Sequence, residues 1–91
     1  MKHSRYFDGK VQSFGITTGR GYATVGVIEP GMYTFSTGKE ETMVVTEGVL
    51  DYRLTDEAWK SVPKGRQFVV PAGHSFECKA EKDVAYICYY R

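Results

Sequence analysis

Two side chains in this sequence are equipped for reaction chemistry: the carboxylate of Glu41 in "KEETMVV" and the imidazole of His74 in "PAGHSFECK". Histidine is the one side chain whose unperturbed titration falls near neutral pH, which suits it to proton transfer. A carboxylate turned toward an enclosed space stabilises positive charge that develops there. Two short segments are suited to holding an anion. "TTGRGY" (17–22) sets Arg20 between two glycines, behind two threonine hydroxyls, and "STGK" (36–39) offers Ser36, Thr37 and Lys39. Turn N–H groups, hydroxyls and a guanidinium or ammonium together fit a phosphate. Arg66 is a third cation of this kind. The same segments also read as hairpin turns with solvated charges, and Gly-Arg-Gly is not the GxxxxGK[ST] phosphate loop. His74 fits an interior histidine bonded to a backbone carbonyl equally well.

These residues must be positioned by strands. Runs rich in Val, Ile, Thr, Tyr and Phe occur at 10–16, 22–29, 32–37, 41–46, 49–54, 66–71, 75–80 and 84–90, separated by Gly, Pro, Asp and Lys clusters. Short strands at regular spacing predict an all-β sandwich or barrel. Only "TDEAWKSV" (55–62) has the composition of a helix, and Pro63 limits it to about one turn. His3 is expected in a frayed terminus without a role. Side chains alternate between faces along a strand. Over 74–80, His74, Phe76, Cys78 and Ala80 share one face, and Ser75, Glu77 and Lys79 share the other. The second set is polar, so His74 is expected to point inward with Phe76 and Cys78. Glu41, Met43 and Val45 likewise share a face, which brings Glu41 toward the interior. Tyr33, Phe35 and Thr37 alternate with Met32, Thr34 and Ser36, and neither set is clearly the inner one. Val84 to Tyr90 is apolar on both faces, as a central strand or one meeting a partner would be.

Ninety-one residues make a single domain, 1–91, with a modest core. Twelve basic residues against eleven acidic give a net charge of +1, without the basic face that a nucleic acid polymer requires. No segment has the roughly 18 apolar residues of a membrane span, and the N-terminus does not resemble a signal peptide. The chain is therefore expected in the cytoplasm. In that reducing compartment Cys78 and Cys88 read as buried thiols rather than a disulfide. Their spacing, with two distant histidines, matches no zinc site.

The glycines carry a further pattern. In "GRQFVVPAGHSF", Gly65, Pro71 and Gly73 resemble the second motif of cupin barrels, and Glu41 followed by Gly48 in "TEGVL" resembles the end of the first. In metal-binding cupins the second motif places a histidine where this chain has Phe76. The first places two where this chain has Phe35 and Thr37, or, with a spacer one residue longer, Thr34 and Ser36. Only Glu41 remains of the usual three histidines and one glutamate, so the resemblance implies the jelly-roll β-barrel of a single-domain cupin without its metal chemistry.

Nearly the whole chain also resembles one small group of cupins, the pyrimidine/purine nucleoside phosphorylases. The stretches concerned are "YFDGKVQSFGI", "GRGYATVGVIEPGMYTFST", "EETMVVTEGVLDYRL", Trp59, "FVVPAGHSFECK" and "YICYY". This resemblance implies phosphorolysis: nucleoside plus phosphate gives free base and ribose (or deoxyribose) 1-phosphate. It also implies tolerance of purine and pyrimidine bases, no cofactor or metal, and a homodimer. Cleaving an N-glycosidic bond puts positive charge on the sugar and negative charge on the base, so catalysis is largely positioning and electrostatics. On that reading Glu41 faces the sugar and its hydroxyls, and His74 serves as acid toward the base. Arg20, Ser36, Thr37 and Lys39 hold phosphate, and Tyr33, Phe35, Phe76 and Tyr86 wall the nucleoside. The competing reading is a non-catalytic cupin that binds a nucleoside, a sugar or another small polar ligand.

Overall fold

The structure is a computed structural model describing residues 1–91. Its strands are β1 (His3–Tyr6), β2 (Val11–Thr18), β3 (Gly21–Ile28), β4 (Gly31–Ser36), β5 (Glu41–Glu47), β6 (Val49–Leu54), β7 (Lys60–Pro63), β8 (Gln67–Val70), β9 (Ser75–Ala80) and β10 (Val84–Tyr90). A three-residue 3₁₀ turn, Phe7–Gly9, joins β1 to β2. Six strands form one sheet in the order β1-β2-β3-β10-β5-β8, and four form the second in the order β4-β9-β6-β7. Every pairing is antiparallel. This is the all-β, two-sheet architecture that the strand spacing predicts, in the jelly-roll form that the resemblance to cupins implies.

Alternation along the strands builds the core. Met43 and Val45 of β5, Phe76, Cys78 and Ala80 of β9, and Val84, Tyr86 and Cys88 of β10 are buried at every second position. The inner faces of the two sheets meet in one hydrophobic cluster that includes Val11, Leu50 and Val70. β10 lies between β3 and β5, with Tyr86 and Cys88 buried in the core and Ala85, Ile87 and Tyr89 half-buried on the outer face. Cys78 and Cys88 are free, buried thiols. Between β5 and β6 the chain turns at Gly48, with φ of 84°. A Cβ there would lie 2.6 Å from the Asp83 carbonyl oxygen, so only glycine fits.

Three local expectations are corrected. Residues 55–62 form no helix. The chain turns after Leu54, whose carbonyl accepts the Glu57 N–H at 3.0 Å, with Asp56 at φ 66°. It then enters β7, an edge strand on β6 where Pro63 is tolerated because no neighbour needs its missing N–H. His3 is not frayed: β1 pairs with β2, and the His3 ring stacks on Phe14 with centroids 4.6 Å apart. His74 precedes β9 rather than joining it, and its side chain is exposed.

Candidate functional site

A cavity of about 160 Å³ lies between the two sheets. Its rim includes Tyr6, 48% exposed, and Ser36, also exposed; its floor includes Ile28 and Cys88, both about 1% exposed. The four-stranded sheet contributes Phe35 from β4 and Phe76 from β9. They are register partners whose rings stack at 5.7 Å with 28° between planes. The six-stranded sheet contributes Glu41 and Met43 from β5, Ser13 from β2, and Tyr86, Cys88 and Tyr90 from β10. Phe35, Glu41 and Phe76 converge here although 35 residues separate Glu41 from Phe76.

Glu41 is half-buried, and burial raises its carboxyl above the ordinary carboxylate range. The Cys88 thiol, which donates to Oε1 at 3.5 Å, offsets part of that rise. No lysine, arginine or histidine pairs with Glu41, in contrast to Glu40 beside it, which meets Arg91 at 3.6 Å. Burial and the Glu41 charge push the Cys88 thiol up to about 12, so it stays protonated and remains a donor. Burial also pushes the Tyr86 and Tyr90 phenols well above their ordinary values. The Tyr90 hydroxyl lies 3.0 Å from that of Thr24. The wall thus combines a desolvated, cation-free carboxylate with several neutral hydroxyls. No cluster of three His, Cys, Asp or Glu side chains capable of holding a metal ion occurs in the molecule, so the donor set does not fit the metal of the wider cupin fold.

Of the residues singled out from sequence, Glu41, Ser36, Phe35, Phe76 and Tyr86 line this cavity; the others do not. His74 turns outward, and its Nδ1 lies 3.1 Å from the Ala72 carbonyl oxygen, a contact within its own loop. The inward expectation fails because residues 71–74 form a turn, where period-two alternation does not apply. Thr37 is buried as a loop clamp. Its hydroxyl donates to the Pro71 carbonyl at 2.6 Å and accepts the His74 N–H at 3.1 Å, leaving little capacity for a phosphate. Lys39 is exposed in the loop that follows. Arg20 lies on the far side of the six-stranded sheet, its guanidinium 4.2 Å from the centre of the Tyr89 ring. Arg66 is exposed and likewise does not line the cavity. Tyr33 belongs to the core, and its hydroxyl donates to the Glu29 carbonyl at 2.7 Å.

Sequence reading missed Cys88, Tyr90 and Ser13 as wall residues. The first two had a signal, lying two and four residues beyond Tyr86 and therefore on the same face. Ser13 had none, since one serine in an apolar run carries no pattern.

The pyrimidine/purine nucleoside phosphorylase family model matches residues 1–90. The chain belongs to the pyrimidine/purine nucleoside phosphorylase family. Relatives with that name include one from Pseudomonas fluorescens, 47% identical across 100% of this chain and 98% of its own length. Another, from Vibrio cholerae, is 42% identical across 99% and 96%. Among solved structures, a Vibrio parahaemolyticus protein of unknown function superposes with a TM-score of 0.94 at 37% identity, covering 99% of this chain and 97% of that one. A putative ethanolamine utilization protein Q from Salmonella typhimurium gives 0.77 at 21% identity, covering 94% and 75%, a likeness of fold alone. Members of this family are named for phosphorolysis, and the cavity presents the groups against which that reaction can be weighed.

Proposed function

We propose that this protein cleaves purine and pyrimidine nucleosides with inorganic phosphate, releasing the free base and ribose or deoxyribose 1-phosphate without a metal ion. The observation that carries this reading is the unpaired, desolvated carboxylate of Glu41 in a cavity that is otherwise apolar and hydroxyl-bearing. Burial makes the isolated charge unfavourable, and a cationic sugar ring arriving beside it relieves that cost. The interaction therefore strengthens as the glycosidic bond lengthens, which is what lowers a barrier. Phe35 and Phe76 offer a flat apolar surface for a base of either kind, consistent with broad tolerance. A cavity of this size takes up one ring about as large as benzene; the pentose occupies it against the Glu41 wall, and the base extends along Phe35 toward the rim.

Phosphate is assigned to the rim at Ser36, whose hydroxyl lies 3.3 Å from that of Ser75. Arg20, Lys39, Thr37 and His74 are not carried forward as ligands or catalysts, for the positional reasons given above. We also assign the protein to a homodimer built on the outer face of β2, β3 and β10. There Phe14, Val25 and Val27 are between 39% and 49% exposed, next to Ala85 and Ile87. Light scattering reads the mass directly: a dimer is expected, reverting to monomer with Val25→Lys, and a wild-type monomer rejects the assignment.

Turnover is tested by incubating chelator-treated protein with uridine and inosine, with and without phosphate. Base release that requires phosphate and survives chelation is the expected outcome. Release without phosphate indicates hydrolysis. Binding without turnover supports a non-catalytic binding protein, and loss of activity on chelation overturns metal independence.

A further inference from the structure

Three polar residues are buried: Ser13, Thr24 and Thr37. Thr37 clamps two loops, and Thr24 bonds to Tyr90. Ser13, 4% exposed, lies on the cavity wall, with the Tyr86 hydroxyl as its polar neighbour. Strand register sets it level with Gly26 and Tyr86: Ser13 pairs with Gly26 across β2 and β3, and Gly26 pairs with Tyr86 across β3 and β10. A Cβ on Gly26 would stand 2.5 Å from the Tyr86 ring and its hydroxyl. Glycine is therefore what lets the phenol lie across β3 toward Ser13 on β2. Burying hydroxyls in an apolar wall costs stability unless they are paired, and an alanine and a phenylalanine would fill the same space without that cost.

We propose that Ser13 and the Tyr86 hydroxyl, brought together across Gly26, form a pentose subsite that reads one hydroxyl of the nucleoside sugar. This rests on the phosphorolysis reading and deepens it by naming what selects the sugar. Two adjacent neutral hydroxyls both donate and accept, matching the mixed character of a sugar hydroxyl, whereas Glu41 only accepts when ionised. A site built around such a contact rejects the analogue lacking it, because its own buried groups are then left unpaired. On that reading ribonucleosides and 2′-deoxyribonucleosides are both substrates, so the hydroxyl read here is one they share, at C3′ or C5′.

The test is a set of affinities measured by calorimetry without phosphate, so that it does not depend on turnover. Wild type, Ser13→Ala and Tyr86→Phe are each titrated with uridine, 2′-deoxyuridine, 3′-deoxyuridine and 5′-deoxyuridine. Both variants are expected to lose ~10-fold in affinity for uridine and 2′-deoxyuridine, the effect of about one hydrogen bond. Against either the 3′- or the 5′-deoxy analogue the loss should disappear. Equal losses on all four ligands, no loss on any, or a loss that disappears only for 2′-deoxyuridine each overturn the proposal. Thermal melts of the variants separate misfolding from weakened binding. A separate assay with phosphate decides the enzymatic reading: a wild type that binds but does not turn over rejects phosphorolysis and leaves the analogue pattern to decide the subsite. A wild type that binds none of the four rejects both.

Discussion

The two walls of the cavity come from sheets whose inner faces carry different chemistry. The four-stranded sheet presents Phe35 and Phe76, stacked on one another, and its one polar group at the cavity is the Ser36 hydroxyl at the rim. The six-stranded sheet presents Glu41, Cys88, Ser13, Tyr86 and Tyr90 across the gap. One wall suits a flat, weakly polar ring, and the other suits a polyol that gains positive charge. A nucleoside has one part of each kind, so on the proposed reading the asymmetry orients it without a specific contact to the base. The cost of this arrangement falls on the second wall, where a carboxylate and several hydroxyls are held out of water.

The largest expected effect of breaking the comparison is at Glu41. Glu41→Gln keeps the shape and removes the charge, and phosphorolysis should fall ~10²–10³-fold, the scale seen when a preorganised electrostatic group is lost. Stability should move the other way. Because burial raises the Glu41 carboxyl in the folded protein, folding is favoured below the ordinary carboxylate range and weakened as pH rises through the raised value. At neutral pH the glutamine variant should therefore melt at the wild-type temperature or above it. A variant that melts lower and turns over normally removes Glu41 from the mechanism.

The opposite wall is probed by Phe35→Leu, which retains bulk and loses the stacking face. The Michaelis constant should rise ~5–10-fold for uridine and inosine alike, with little change in kcat. A penalty confined to one base class would show that the aromatic wall selects among bases. A smaller effect sharpens the polar wall: with Cys88→Ala the thiol no longer offsets the rise at Glu41. The acid limb of the kcat/KM profile should then move to higher pH, and Cys88→Ser should bring it back. An unmoved limb means the thiol does not act on Glu41. The smallest effect is expected outside the cavity. Arg20→Ala should change the phosphate Michaelis constant by less than ~2-fold and cost about 0.5–1 kcal/mol of stability, the range for an exposed cation–π contact.

The division between what was legible in sequence and what was not follows the same physics. Eight of the strands are legible as runs of β-branched and aromatic residues. The inward set Glu41–Met43–Val45 follows from period-two alternation, which holds wherever one face is buried. Apolarity on both faces marked β10 as central or partner-facing, and it is central. The Gly48 turn follows from a backbone that only glycine adopts. Alternation failed at His74 because the residue belongs to a turn. It also could not assign Arg20, because a guanidinium in a hairpin loop looks the same in sequence whichever side of the sheet it folds toward. Residues 60–63 were missed as a strand because four residues on a sheet edge bury only Val62. Ser13 was illegible because its neighbours Gly26 and Tyr86 are separated from it by 13 and 73 positions in the chain.

The most direct test of the asymmetric cavity is a crystal structure with an intact nucleoside and phosphate bound to Glu41→Gln, the variant expected to bind without turning over. The base should lie over Phe35 and Phe76, with C1′ of the sugar facing residue 41 at about 4 Å, a distance at which charges interact strongly. A nucleoside bound in the reverse sense, or one seated outside the space between the sheets, would contradict the account.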